Sequence, residues 1–153
     1  MTENENKEIQ KMKKIIELKE YLIEEENAGL EELEDIKEVY DNTFDTPYGE
    51  YMVLTDEEAD EHAEEYIESS VWAFNPDFII GQSSALDYDE ASKIIIEAIG
   101  ARCENGNEAM KKLIDSMDDF IREAICADGR GYYMSSYDGE EYQGENFFIY
   151  RMN

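Results

Sequence analysis

EYMVLTDEEADEHAEEYIESSVWAFNP, residues 50–76, holds the change of period on which the fold turns. EYMVL is short, mostly apolar and β-prone, which predicts a strand over 50–54. Thr55 followed three residues later by Glu58 has the form of a capping box, and Asp56 and Glu57 suit the positive end of a helix. A helix is therefore expected from Thr55 until Asn75-Pro76 stops it near Phe74. On its wheel Ala59, Ala63, Tyr66, Ile67, Ser70 and Phe74 share one face, and Glu57, Glu58, Glu61, Glu64, Glu65 and Glu68 share the other. A strand that runs into an amphipathic helix, within 153 residues, points to one α+β domain.

Upstream, residues 7–26 space Ile9, Met12, Ile15, Ile16, Leu22 and Ile23 as an amphipathic helix with Lys11, Lys13 and Lys14 between them. After Gly29, the stripe Leu30, Leu33, Ile36 and Tyr40 predicts a second helix, whose acidic face carries Glu31, Glu34, Asp35 and Glu38. DNTFDTPYG, 41–49, reads as turns. Residues 1–45 thus form an N-terminal helical region and 48–153 an α+β body of the same domain.

Downstream, Asp87 with Glu90 offers a cap for a helix to about Arg102, and a further helix is expected over 107–127, stopped by Gly129. The tail alternates apolar runs with Asp138-Gly139 and Gly144, so strands over 131–137 and 146–152 are expected to join 50–54 in a small antiparallel sheet. The prediction is about five helices packed with that sheet.

Charge is the strongest compositional signal. Forty acids against thirteen Lys and Arg give a net charge of −27, with twenty acids facing Lys37 alone between residues 20 and 68. Such a surface repels nucleic acid and anionic lipid and attracts basic protein surfaces. No apolar run reaches 18 residues and MTENENKEIQ is not a leader, so the expected location is the cytoplasm.

The acids fit no chemical motif. Counted from Asp41, an EF-hand register places Thr43, Thr46 and Met52 where it needs an acid, a glycine and a glutamate. His62, the single histidine, lacks the Glu-x-x-His spacing of a di-iron bundle. Asp87 with Asp89, and Asp118 with Asp119, read as helix caps and solvent faces before they read as cation ligands, and Cys103 and Cys126 as reduced thiols. No cofactor, metal or catalytic residue is assigned. Arg130, between two glycines, is expected to pair with a nearby carboxylate or the preceding helix end.

What remains is the charge itself. Eight acids from Asp56 to Glu68 lie along roughly 18 Å of helix, at about 1.5 Å per residue. That is about 2.3 Å per charge, near the roughly 1.7 Å of duplex DNA. Trp72 falls on the same side of the wheel and reads as an aromatic anchor or a residue covered by the tail.

LTDEEAD, VWAFNP and the ending DGRG…SYDG…FIYRMN resemble a group of small acidic proteins of bacteriophages and other mobile elements. The resemblance covers roughly residues 50–153, and departs at Tyr132-Tyr133, where the group has a histidine after DGRG. It implies an accessory protein acting in a bacterial host cell, analogous to anti-CRISPR and antirestriction inhibitors.

The function expected is therefore a non-enzymatic inhibitor of a nucleic-acid-binding defence nuclease. The target is a Cas effector such as Cas9, or a restriction enzyme. Its basic groove would be occupied by Glu57, Glu58, Glu61, Glu64, Glu65, Glu68 and Trp72, with Glu31, Glu34, Asp35 and Glu38 as a second row. The alternative is an interaction adaptor that binds through the aromatic tail, its acids serving solubility.

Overall fold

The structure, a computed structural model, describes residues 2–153. It is an α+β fold of seven α-helices and a five-stranded antiparallel sheet among the described residues, divided into two compact units. Of the described residues, the first unit takes 2–61 and 130–153, and the second 62–129.

In the first unit, α1 (Glu3–Glu26) starts at a full capping box, in which Thr2 Oγ accepts the Glu5 N–H and Glu5 accepts the Thr2 N–H. It ends at Asn27 in the left-handed region, φ 55°. The sheet runs β1 (Lys37–Tyr40), β2 (Thr43–Thr46), β3 (Gly49–Leu54), β4 (Tyr142–Gln143) and β5 (Phe148–Arg151), in spatial order β1-β2-β3-β5-β4. α1 lies on β3, and Leu18, Leu22, Leu33, Phe44, Tyr51, Val53, Phe147 and Ile149 close a core there. Met52 and Leu54, which alternate with Tyr51 and Val53, are buried as well. β3 is thus covered on both faces, which is why EYMVL is so apolar. Burying Leu18 and Leu22 completely contributes on the order of 2 kcal/mol each.

The helix expected over 30–40 does not form. Leu30–Leu33 is a single 3₁₀ turn, and Lys37–Tyr40 is an edge strand hydrogen-bonded to β2. Val39 and Tyr40 are β-prone, and Asn42, at φ 58°, supplies the left-handed residue of a tight hairpin between β1 and β2. Pairing with β2 outweighs a helical stripe of only four apolar residues. The charged, exposed β1 then serves as a blunt sheet edge.

Residues 131–137 are likewise no strand. They form α7 (Arg130–Met134) and a turn, and the tail pairs through β4 and β5. Gly131 explains the compact packing, because a Cβ there would lie 2.8 Å from the backbone of residues 139–141.

α2 (Asp56–Ser69) opens in the first unit and closes in the second. It ends before Phe74, since Val71–Ala73 is a separate 3₁₀ turn. Pro76 does not end a helix but begins one, α3 (Pro76–Gly81), with Asn75 Oδ1 capping the Asp77 N–H at 2.8 Å. α4 (Glu90–Gly100) is capped by Asp89, not Asp87. The helix expected over 107–127 is two, α5 (Asn107–Leu113) and α6 (Met117–Asp128). Ser116 caps α6, while Asp115 turns away to bond Gln82 and Ser84. Phe74 stacks on Phe78 and both meet Phe120 edge-on, with ring centroids 4.9–5.5 Å apart, and Ile79, Ile96, Met110 and Ala124 of the same unit are buried. No helix of the described residues is long and apolar enough to cross a membrane.

Buried Asn107 pins the second unit. Its Nδ2 donates to the Glu68 carbonyl at 2.8 Å, and its Oδ1 accepts the Trp72 N–H at 3.1 Å. Asn107→Ala strands both groups, and should cost about 2 kcal/mol in urea unfolding. A loss under about 0.5 kcal/mol would mean that water replaces the amide.

Candidate functional site: the acidic face of α2

The eight acids of α2 fall into two sets with different neighbours. In the first set the Thr55 capping box forms as expected, with Glu58 Oε1 accepting the Thr55 N–H at 2.9 Å and Thr55 Oγ accepting the Glu58 N–H at 3.2 Å. The same carboxylate takes the Lys14 ammonium at 2.9 Å. Lys14 also donates to Asn42 Oδ1 at 2.7 Å and sits 5.7 Å from the Phe147 ring centroid, with its side chain 5% exposed. Burial pushes the Glu58 carboxyl up, but the Thr55 N–H and the Lys14 ammonium outweigh it and hold the group below the usual carboxylate range.

Asp56 and Asp60 belong to Arg130. Its Nη1 lies 2.8 Å from an oxygen of each, its Nε is 2.7 Å from Glu141, and its guanidinium lies 4.6 Å from the Phe148 ring centroid. The Tyr150 hydroxyl donates to the same Glu141 oxygen. Burial disfavours the guanidinium charge, but the three carboxylates more than compensate and raise its pKa. The pairing expected for Arg130 is therefore present, with three acids rather than one.

The second set is free. Glu57, Glu61, Glu64 and Glu65 are exposed, and among the described residues none of their side chains has a hydrogen-bond or ion-pair partner. Spacings of four, three and one place them on one stripe, continued by the half-buried Glu68. Glu58 leaves the expected row because its carboxylate is committed to Lys14 and its own helix cap. Counted from Glu57 to Glu68, five charges span about 16 Å at about 1.5 Å per residue, roughly 3.3 Å per charge. The duplex-like density is corrected to the spacing of one nucleic-acid strand, about 3.4 Å per phosphate.

The second row is corrected too. Glu31, Glu34, Asp35 and Glu38 are exposed, but they lie on a 3₁₀ helix, the turn after it and an edge strand, so no common helix aligns them. Glu38 caps the Asn42 N–H at 3.2 Å. Trp72 is half-buried in its 3₁₀ turn, beyond the end of α2, and does not continue the glutamate stripe. Of the tail aromatics, Tyr133, Phe147 and Tyr150 are buried, while Tyr132 and Tyr137 are exposed.

Lys14, Asn42 and Glu141 were not singled out by the sequence. Lys14 left one trace: it lies four and eight residues before Leu18 and Leu22, on the buried face of α1. The described residues contain no group of three or more His, Cys, Asp or Glu placed to hold a metal ion. Asp89 is a helix cap, and Asp119 pairs with Arg122.

The Glu58 arrangement fixes a pH dependence. Because the folded pKa is depressed, its stabilisation is complete above the ordinary value of 4.5 and is lost as pH falls through the lower folded value. The stability difference between wild type and Glu58→Gln should thus be constant above pH 5 and shrink below about 4.5 in urea titrations. A difference that grows on acidification would contradict this.

No family model, curated protein or solved structure matches the chain.

Proposed function

We propose that the protein is a non-enzymatic inhibitor that occupies the basic groove of a nucleic-acid-binding nuclease, using the Glu57, Glu61, Glu64, Glu65 and Glu68 stripe as a substitute for one phosphodiester strand. The observation that carries the reading is the division of α2 acids. Those near Lys14 and Arg130 are neutralised within the fold, while four exposed glutamates of the same helix, Glu57, Glu61, Glu64 and Glu65, are left facing solvent without a cation.

Leaving like charges at these spacings costs a few tenths of a kcal/mol per pair. The cost is recovered when a partner supplies lysines and arginines, and the folded helix presents the charges already ordered. A Cas effector or a restriction enzyme is the target class proposed, in keeping with the resemblance to mobile-element proteins.

The test is competition. Purified Cas effectors and restriction enzymes are incubated with labelled DNA and increasing protein, and both DNA retention and cleavage are read. Displacement that weakens steeply between 50 and 300 mM salt supports the reading. Inhibition that persists without DNA displacement, and is abolished by Tyr137→Ala, would replace it with binding through the tail.

A further inference from the structure

α1 buries Lys14, Glu17, Leu18 and Leu22 on one side, yet it exposes a second apolar stripe on the opposite side. Met12 is 61% exposed, Ile16 53%, Ile9 38% and Ile23 36%. The positions 9, 12, 16 and 23 follow the a and d places of a heptad, with Lys19 in the remaining d place between Ile16 and Ile23. An ordinary surface helix has one apolar face, and this one has two.

Charge along the helix selects the occupant. Residues 1–19 carry five lysines and four glutamates, a net of +1, whereas 20–26 carry Glu20, Glu24, Glu25 and Glu26 and no base. Beside the stripe, Lys13 is followed seven residues later by Glu20 on the same flank. A parallel neighbour of the same sequence would set like charge against like. An antiparallel one, with the two-fold axis near Ile16, brings Lys13 within reach of Glu20 on the other copy, and does so twice.

We propose that two copies of this chain pair through α1, antiparallel, across Ile9, Met12, Ile16 and Ile23. The inference is independent of the proposed function, because none of these residues lies on α2. It also carries the opposite salt signature. Two molecules of charge −27 repel over long range, so added salt screens the repulsion and strengthens this pairing, whereas it weakens capture of a basic groove.

The experiment is sedimentation equilibrium of the full chain from about 1 to 500 μM, at 50 and 300 mM salt. A monomer–dimer equilibrium that tightens at the higher salt is expected. Ile16→Glu should raise the dissociation constant at least tenfold, with an unchanged unfolding midpoint at concentrations where both proteins are monomeric, since the site is exposed. Lys13→Glu should weaken pairing, and Lys13→Glu with Glu20→Lys should restore it.

A monomer at every concentration, or a dimer indifferent to Ile16→Glu, overturns the proposal. Failure of the double charge swap to rescue overturns the antiparallel arrangement. Binding of phosphatidylcholine vesicles by wild type but not by Ile16→Glu, with no self-association, assigns the stripe to a lipid surface instead.

Discussion

Arg130→Met should lower the unfolding free energy by about 3 kcal/mol, the largest single-residue loss outside the apolar core. Removing the cation leaves Asp56, Asp60 and Glu141 gathered around a site with no positive charge, and it is this residue of uncompensated charge that makes broken buried pairs costly. The figure sits at the low end of the usual range because the Asp56 and Asp60 side chains remain 69% and 57% exposed, and water screens part of the repulsion.

Arg130→Lys separates charge from geometry. A lysine restores a cation, but it cannot direct two nitrogens at opposed carboxylates while its planar face lies on Phe148. It should therefore recover less than half of the loss. Urea unfolding of the three proteins decides the matter, and a Met variant within about 0.5 kcal/mol of wild type would show the clasp to be energetically idle.

The second large effect has opposite signs in two assays. Replacing Glu57, Glu61, Glu64 and Glu65 together by Gln relieves repulsion along α2, so the protein should become more stable by up to about 1 kcal/mol. The same change should remove roughly 2–4 kcal/mol of affinity for a basic groove, about 0.5–1 kcal/mol per exposed charge pair. That is a loss of about 30- to 700-fold. A surface kept only for solubility predicts the gain in stability without the loss in binding.

Glu141 apart, these two predictions concern acids of one helix that look alike in the sequence. The wheel of 55–74 correctly separated Ala59, Ala63 and Ile67, all buried, from the glutamates, because burial on a helix follows a period that the sequence carries, but Tyr66, placed on the same face, is 52% exposed, and Ser70 and Phe74 lie beyond the end of α2. It could not separate Glu57 from Glu58. That distinction depends on Lys14, 44 residues away, and on a hairpin residue, Asn42, that holds the ammonium in place.

Long-range pairing also explains the failure at 30–40. A strand there is stabilised by β2, and β2 was hidden in TFDT, whose threonines and proline neighbour read as turn. The helix over 107–127 failed for a local reason, since Ser116 followed by Asp118 and Asp119 is a start signal inside a continuous apolar period. Pro76 was ambiguous by nature: the same residue that stops one helix is well suited to the first turn of the next.

The most direct test of the central claim measures binding of wild type and the four-glutamine variant to one inhibited nuclease, at several salt concentrations. The account predicts that wild type binds tightly at low salt and loses affinity steeply as salt rises, while the variant binds at least 30-fold more weakly at low salt and responds much less to salt. Equal affinities with parallel salt dependence would contradict it, because the free glutamates of α2 would then have no part in recognition.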